Sequence, residues 1–282
     1  MSMFKKNRLK RIASETVSII DKGFYRTSED KDIDISNAVA CSKDYTFIYE
    51  LKEGFNDVVL NKRKPRNLNI VLSKRFTYEA MTEYKRTFKD CSLFVLNFAS
   101  AKNPGGGFLG GSNAQEESLS RVSGLYKAIS SKQEFYEKSR KNPRKGLYYN
   151  MAIYSPSVPF IRDYRNEDLF IEPVFANVIT CAAVNNAIVS ATPINDQLVK
   201  VEMVNRIKTI IEVFLNQANP NKKNVLILGA FGCGIFRNNP SQVAKSFNYV
   251  LDFYKEELSK LDLIVDFAIP DDKNLYEFKR WV

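Results

Sequence analysis

The sequence predicts an α/β fold in which a mixed, largely parallel sheet is covered on both faces by helices. Short apolar, β-prone runs alternate with longer segments whose apolar residues recur every three or four positions, as in buried strands and amphipathic helices. This alternation is typical of a parallel sheet between helical layers. The chain has 282 residues, of which 44% are hydrophobic, so it can bury a large core without disulfides.

The N-terminal part is predicted to begin with a helix over residues 4–23, because its apolar residues have helical spacing and Gly23 suits a C-cap. We expect residues 1–65 to form an N-terminal extension packed on a core of residues 66–282, the two making one compact unit. The other elements predicted before the central strand are strands near 33–35, at 45–49 and at 69–73, and a helix at 77–86.

The later elements continue the alternation. The segment 130–175 is aromatic and contains prolines, so it is predicted to hold a hairpin or a lid, with strand candidates at 147–150 and 153–156. The clearer predictions are strands at 93–99, 175–183, 224–230 and 263–269 and helices at 115–129, 195–217 and 240–259.

The most informative stretch follows the strand at 93–99. It contains five glycines, at positions 105, 106, 107, 110 and 111, and leads into the helix at 115–129. Glycines allow backbone N–H groups to approach a bound group closely, and a helix N-terminus favours an anion. We therefore predict a phosphate or sugar site here, with Glu116 and Glu117 beside it in the first helical turn.

A structural explanation of these carboxylates competes with the functional one. Asn113 and Glu116 fit a capping box, with Asn113 as N-cap and Glu116 at N3, and acidic residues are favoured in a first turn by the helix dipole alone. A cap requires no glycine-rich loop before it. The glycines therefore favour the functional interpretation.

A second glycine-rich loop, at 229–236, follows the predicted strand at 224–230. Ligands of such sheets bind at the carboxyl ends of the strands, so one phosphate-bearing ligand could lie between the two loops. A simple tight turn is the alternative for the second loop. Neither loop matches the P-loop or the dinucleotide-binding fingerprint.

Composition excludes several kinds of chemistry. The chain has no histidine, which rules out Ser-His-Asp and Cys-His nucleophilic machinery and every histidine-bearing zinc motif. Its four cysteines are far apart and form no Cys-x-x-Cys, so no zinc site and no disulfide framework is predicted. Any acid–base catalysis would therefore be carried out by Glu, Asp, Lys, Tyr or Cys.

The positive charge is concentrated in the first half of the chain. The formal net charge is +10, and residues 1–150 hold 28 Lys and Arg against 17 Asp and Glu. The local clusters at 62–66 and 138–145 are typical of solvated loops, and a polyanionic partner is the second interpretation.

The chain is expected to be cytoplasmic. No apolar stretch is long enough to cross a bilayer, and the N-terminus lacks the apolar region of a signal peptide. We therefore predict no membrane association.

The motif Gly105-Gly106-Gly107, seven further residues and then Gln115-Glu116-Glu117 resembles the signature of the poly(ADP-ribose) glycohydrolases (PARGs). The stretch 97–126 is similar to the bacterial or microbial branch of that family. The N-terminal helix, the segment 178–185, the loop 229–236 and the ending 267–272 also follow the family's pattern and order. The resemblance covers most of the chain.

The resemblance implies a three-layer α/β/α macrodomain that binds ADP-ribose between the two loops. It implies that Glu117 is the catalytic acid/base, that Glu116 and Asn103 hold the terminal ribose, and that Gln115 positions the pair. It assigns no role to Asp271 and Asp272. The remaining implied binding residues cradle the pyrophosphate or, for Phe236, pack near the terminal ribose: Gly105, Gly106, Gly107, Gly232, Cys233, Gly234, Ile235 and Phe236.

The implied function is hydrolysis of ribose–ribose O-glycosidic bonds of poly(ADP-ribose), without cofactor or metal, by a monomer whose partners are ADP-ribose polymers and ADP-ribosylated proteins. Neighbouring residues of a helix point about 100° apart, so Glu116 and Glu117 cannot flank the bond as opposed carboxylates do. One of the two glutamates must therefore transfer the proton alone.

Three other functions are alternatives to polymer hydrolysis. They are a hydrolase of mono-ADP-ribosylated protein or nucleic acid, a non-catalytic ADP-ribose-binding macrodomain, and a basic nucleic-acid-binding protein.

Overall fold

The computed structural model describes residues 2–60, 68–192 and 194–282. Within these ranges the strands form a seven-stranded sheet and a separate two-stranded ribbon. The strands are β1 (Phe24–Arg26), β2 (Asp32–Asp34), β3 (Phe47–Glu50), β4 (Asn69–Ser73), β5 (Cys91–Phe98), β6 (Met151–Arg162), β7 (Phe170–Cys181), β8 (Lys223–Leu228) and β9 (Leu263–Ala268).

The described helices surround this sheet. None of them combines the length and the apolar character that crossing a bilayer requires. The helices are α1 (Met3–Lys22), α2 (Ser36–Asp44), α3 (Thr77–Thr87), α4 (Gln115–Arg121), α5 (Leu125–Ser130), α6 (Gln133–Lys141), α7 (Asn186–Val189), α8 (Asp196–Gln217), α9 (Pro240–Phe253), α10 (Lys255–Leu258) and α11 (Asp272–Trp281).

The main sheet has the order β3-β6-β7-β5-β8-β9-β4. The pairs β3–β6 and β6–β7 are antiparallel and the others are parallel, which confirms a mixed, largely parallel sheet. The strand β5 lies at the centre, between β7 and β8. The segments that leave the carboxyl ends of β5 and β8 are therefore neighbours.

Helices cover both faces of the sheet, as predicted. The alternation of side chains along β5 places Phe94 and Leu96 in a core with α8, α9 and α11, and Leu93 and Val95 in a core with α3, α4, α5 and α6. The architecture is thus three layers, α/β/α.

The N-terminal helix ends as its sequence predicts. Gly23 has a φ of 79°, and its N–H donates to the Ile19 carbonyl at 2.9 Å. A small core formed by α1, β1, α2 and the end of β6 holds this region in place. The strand β3 belongs to the main sheet. The proposed boundary at 65/66 and the basic cluster at 62–66 lie among residues outside the described ranges, so the two-part division stays a prediction.

The predicted helix at 115–129 is wrong in one respect, because it is two helices. Between α4 and α5 the chain pairs with β6 instead of continuing the helix: Ser123 forms a bridge with Phe160, and the Gly124 N–H donates to the Pro159 carbonyl at 2.9 Å. The strand candidate at 147–150 is also wrong, since Tyr148 has a φ of 59°. The predicted hairpin in 130–175 is confirmed by β6 and β7.

Candidate active site

A cleft of about 760 Å³ opens where β4, β5, β8 and β9 end, which is the edge expected for a ligand in such a sheet. Both glycine-rich loops line it. The twelve predicted site residues all lie within the described ranges, and ten of them line this cleft: Asn103, Gly106, Gly107, Gln115, Glu116, Glu117, Gly232, Gly234, Ile235 and Phe236.

The other two, Gly105 and Cys233, are not among the residues that line the cleft. The Cys233 thiol contacts the Phe231 carbonyl at 3.7 Å, and burial raises its pKa to about 12. A thiol with such a pKa stays protonated at neutral pH, so it is a poor nucleophile. If Cys233 contacts a ligand, its backbone and not its thiol would make the contact.

Gln115 fixes the start of α4 against the sheet. Its Oε1 accepts from the Phe98 N–H at 2.8 Å, and its Nε2 donates to the Leu96 carbonyl at 2.8 Å and to Thr77 Oγ1 at 3.2 Å. Three contacts from one amide join α4, the end of β5 and the start of α3. The two glutamates that follow therefore have a rigid base.

Glu116 is a buried carboxyl group, with only 3% of the residue exposed. Its Oε2 accepts from the Ser100 N–H at 2.7 Å and its Oε1 from Asn97 Nδ2 at 3.3 Å. Burial raises the Glu116 pKa to about 8, although these hydrogen bonds act in the opposite direction. The raised pKa favours the protonated form of Glu116, in which the side chain can donate a hydrogen bond.

The raised pKa of Glu116 predicts a pH-dependent stability. Between about pH 4.5 and 8 the unfolded chain has lost the Glu116 proton while the folded protein retains it, so folding stability falls as the pH rises through this window. The loss is up to about 1.4 kcal/mol per pH unit. Glu116→Gln removes this dependence, and its melting temperature relative to wild type should rise from pH 5 to pH 8. A constant difference between the two melting temperatures would contradict the assignment.

Glu117 lies half-buried in the cleft, and its carboxylate bridges two backbone donors. Oε1 accepts from the Gly107 N–H and Oε2 from the Ala114 N–H, both at 3.0 Å. The predicted capping box is therefore wrong by one residue: Ala114 is the N-cap and Glu117 occupies N3. The chain is still extended at Ala114, with φ −102° and ψ −170°, so the helix begins at Gln115, as predicted, and not at Ala114, as a cap at Asn113 would require. The side chain of Asn113 instead accepts from Arg121.

The first glycine-rich loop is shaped around these carboxylates. Gly106 has a φ of +58°, and a Cβ at this position would overlap Glu117 Oε1 and lie 3.1 Å from Glu116 Oε2. Only glycine combines that backbone conformation with so close an approach.

The second loop forms the opposite wall. Gly232 has a φ of +71° and lies against Ala183, while Asn238 Nδ2 donates to the Gly232 carbonyl at 2.9 Å and to the Val184 carbonyl at 2.7 Å. The second loop is thereby tied to the segment that follows β7. Beyond it, the Phe236 ring lies 6.5 Å from the Tyr148 ring, centre to centre.

Several residues that line the cleft were not predicted. Phe76 is 69% exposed on the rim, and Tyr164 and Glu167 come from the turn between β6 and β7. Of these residues, Phe76 could have been predicted to line the cleft from its position alone, since it follows the carboxyl end of the strand β4. Asp271, which also lines the cleft, caps α11 by accepting from the Asn274 N–H at 2.8 Å, and Asp272 pairs with Lys74 at 2.8 Å.

A second cavity, of about 690 Å³, lies between β3, α8 and α10, and its lining includes Tyr49, Lys208 and Glu212. No predicted site residue lines it. The Glu212 carboxylate accepts from the hydroxyls of Tyr49 and Tyr254, both at 2.5 Å. Within the described ranges, no group of three or more His, Cys, Asp or Glu side chains is placed to hold a metal ion.

A comparison with models of protein families shows to which family this chain belongs. A model described as the catalytic domain of microbial-type PARG matches residues 13–163, which contain both glutamates and the first glycine-rich loop. The chain belongs to the microbial-type PARG family. The matched range begins inside α1 and crosses the proposed boundary at 65/66, so the family's domain includes part of the N-terminal region.

Solved structures of PARG family members share the fold of this chain. PARG from Thermomonospora curvata bound to the inhibitor ADP-HPD is 28% identical, with a TM-score of 0.80 over 97% of this chain and 99% of that chain. PARG from Deinococcus radiodurans in complex with ADP-ribose is 31% identical, with a TM-score of 0.70 over 86% of this chain and 96% of that chain. The search of curated proteins gave no match. The predicted macrodomain-like α/β fold is confirmed.

Proposed function

We propose that this member of the PARG family hydrolyses the ribose–ribose O-glycosidic bonds of poly(ADP-ribose) and releases ADP-ribose. The observation that carries the proposal is the Glu117 carboxylate, held by two backbone N–H groups in a cleft between two glycine-rich loops. A protein that only binds ADP-ribose needs the loops but no carboxylate fixed in this way.

The binding roles follow from the position of each loop. Gly106 and Gly107 on one wall and Gly232, Gly234 and Ile235 on the other would cradle the pyrophosphate, because their backbone N–H groups can approach it closely. Gly105 and Cys233 would complete the two loops. Asn103 and Glu116 would hold the terminal ribose hydroxyls, and Phe236 would pack on that ribose. Gln115 would position both glutamates through its contacts with β5 and α3.

The environments of the two glutamates suggest separate tasks. Burial favours the neutral form of Glu116, and its two oxygens are held by Asn97 and Ser100, so Glu116 serves as an anchor that can donate to a ribose hydroxyl. Glu117 is the more accessible group, and we assign it the proton transfers. Glu117 enters the reaction in its protonated form and gives this proton to the leaving 2′-oxygen as the glycosidic bond breaks. The resulting carboxylate then accepts a proton from the attacking water, which restores the acid. The diphosphate of the substrate stabilises the positive charge that develops on the ribose.

We further propose that the protein is a cytoplasmic monomer that acts on polymers attached to ADP-ribosylated proteins. The four cysteines are free thiols, which suits a reducing compartment. Light scattering of the purified protein and fractionation of the source cells test the two parts of this proposal.

The substrate class can be tested with two substrates offered in parallel. The purified chain is incubated with poly(ADP-ribose) and with singly ADP-ribosylated protein, and free ADP-ribose is quantified by chromatography. We expect release from the polymer at a rate at least about tenfold above release from the single modification, a difference of about 1.4 kcal/mol in the barrier. Release from the singly modified protein alone would indicate the mono-ADP-ribosyl hydrolase, and binding of ADP-ribose without any release would indicate a non-catalytic domain.

A further inference from the structure

A buried arginine lies directly beneath the catalytic turn. Only 1% of the Arg121 side chain is exposed, at the end of α4. Its guanidinium forms a bidentate pair with Glu167, with Nε donating to Oε2 at 2.8 Å and Nη2 to Oε1 at 2.9 Å. Glu167 comes from the turn between β6 and β7 and lines the cleft. The pair therefore joins α4 to the turn between β6 and β7.

The other donors of the same guanidinium reach the loop that leads into α4. Nη2 donates to Asn113 Oδ1 at 2.7 Å, and Nη1 donates to the Ser112 carbonyl at 3.2 Å. Nη1 also lies 3.3 Å from the carbonyl oxygen of Glu117 itself. One side chain thus links the end of the glycine-rich loop, the first turn of α4 and the β6–β7 turn.

A second buried arginine supports this arrangement from behind. Arg162 donates through Nη1 to the Glu167 carbonyl at 2.8 Å and through Nε to Thr16 Oγ1 at 2.7 Å. Thr16, on α1, donates in turn to the Arg121 carbonyl at 2.7 Å. The N-terminal helix is therefore connected by hydrogen bonds to the helix that carries Glu117.

We propose that the Arg121–Glu167 pair positions the Glu117 carboxylate for proton transfer. The proposal rests on the function proposed above. Two N–H groups, of Gly107 and Ala114, hold that carboxylate. Arg121 fixes Ser112 and Asn113, the residues just before Ala114, and also the Glu117 carbonyl, so it sets both the donor and the acceptor of the second of these bonds. Arg121 touches no reacting atom in this scheme, and its effect passes through Glu117.

The geometry requires an arginine at position 121. A lysine would keep the positive charge but cannot form the bidentate pair and reach Ser112 and Asn113 at the same time, because it is a single donor centre on a flexible stem. A small displacement of a catalytic group is sufficient to lower a rate by about a hundredfold. Arg121→Lys should therefore reduce kcat far more than it reduces ligand affinity.

The test uses Arg121→Lys and the milder Glu167→Gln in the full chain, with Arg26→Lys as the matched control. Arg26 forms an equivalent bidentate pair with Asp32, at 2.8 and 2.9 Å, on the exposed β1–β2 ribbon. For each variant, kcat for ADP-ribose release from the polymer and the Kd for ADP-ribose are measured below its melting temperature. We expect kcat to fall about 10- to 100-fold in Arg121→Lys and by a smaller factor in Glu167→Gln, with Kd changed by less than about threefold. Arg26→Lys should match wild type in both measurements.

An unchanged kcat in the folded variants, or a Kd that rises by the same factor as kcat falls, would overturn the positioning role. If Arg121→Lys does not fold, Glu167→Gln alone decides by the same criteria. A wild-type protein that releases no ADP-ribose would refute the proposed function instead. In that case the positioning role is tested by crystal structures of the wild type and of the Arg121→Lys or Glu167→Gln variant. The hydrogen bonds of Glu117 with the Gly107 and Ala114 N–H groups, 3.0 Å in the wild type, must lengthen or break in the variant.

Discussion

Replacing Glu117 with glutamine should lower the release of ADP-ribose from poly(ADP-ribose) by about a thousandfold, within the range typical of general acid–base catalysis. The amide has nearly the size of the carboxyl group but can neither give a proton to the leaving oxygen nor accept one from water. Its oxygen can still accept from one of the two backbone donors, Gly107 or Ala114. The Kd for ADP-ribose, measured by calorimetry, should therefore stay within about fivefold of wild type, a difference of about 1 kcal/mol.

Glu134→Gln is the matched control, since Glu134 is an exposed glutamate in the first turn of α6. It should have the wild-type rate. Glu116→Gln separates the two neighbouring roles. If Glu116→Gln lost the activity and Glu117→Gln kept it, the acid/base would be Glu116, and the assignment made here would be wrong.

The substitution Gly106→Ala should have an effect of similar size for a steric reason. The new methyl group would overlap Glu117 Oε1 and press on Glu116 Oε2, and the φ of +58° is unfavourable for alanine. The loop or both carboxylates must shift. We expect kcat/KM for polymer hydrolysis to fall by at least about a hundredfold, measured as initial rates of ADP-ribose release.

Gly110→Ala provides the control within the same loop. A Cβ at Gly110 meets no atom of the described residues within 4 Å, and the φ of Gly110 is outside the left-handed region. This variant should keep the wild-type kcat/KM. Equal losses of kcat/KM in Gly106→Ala and Gly110→Ala would show that the loop is sensitive to any added side chain. The loss in Gly106→Ala could then not be attributed to contact with the two carboxylates.

Local patterns were sufficient for the elements that present the site. Strands β5 and β8 are apolar runs that become buried on both faces, and each leads into a loop whose glycines are visible in the sequence. The parallel order of the sheet then brings the two loops together at one edge. For this reason the position of the cleft could be predicted from the sequence, whereas the individual residues assigned to it came from the family resemblance, and ten of those twelve line the cleft.

The separate environments of the two glutamates could not be predicted from the sequence. Both glutamates were expected in the first turn of a helix, but their burial depends on how that turn sits against the end of β5. The helix begins at Gln115, as predicted, so the Glu117 side chain makes the cap, while Glu116 lies against Ser100 and Asn97. The capping geometry that was considered as a purely structural alternative is therefore made by Glu117 itself, the residue assigned to catalysis.

The arginine network depends on contacts between residues distant in sequence. Arg121 and Glu167 are separated by 46 positions, and Arg162 and Thr16 by 146. No local spacing signals these pairs, and an arginine in an amphipathic helix is ordinarily expected on the solvent face. The break after α4 has the same origin, because it is the pairing of residues 122–124 with β6 that ends the helix.

We propose that Glu117 faces the bond that is cleaved. A crystal structure of the protein with ADP-ribose tests this most directly, through the distance between the Glu117 carboxylate and the anomeric carbon of the terminal ribose. We expect this distance to be about 4 Å or less, with the pyrophosphate between the two glycine-rich loops, because a group that transfers a proton must lie within hydrogen-bonding reach of the reacting oxygen. A terminal ribose whose anomeric carbon lies beyond the reach of the Glu117 side chain would contradict this assignment.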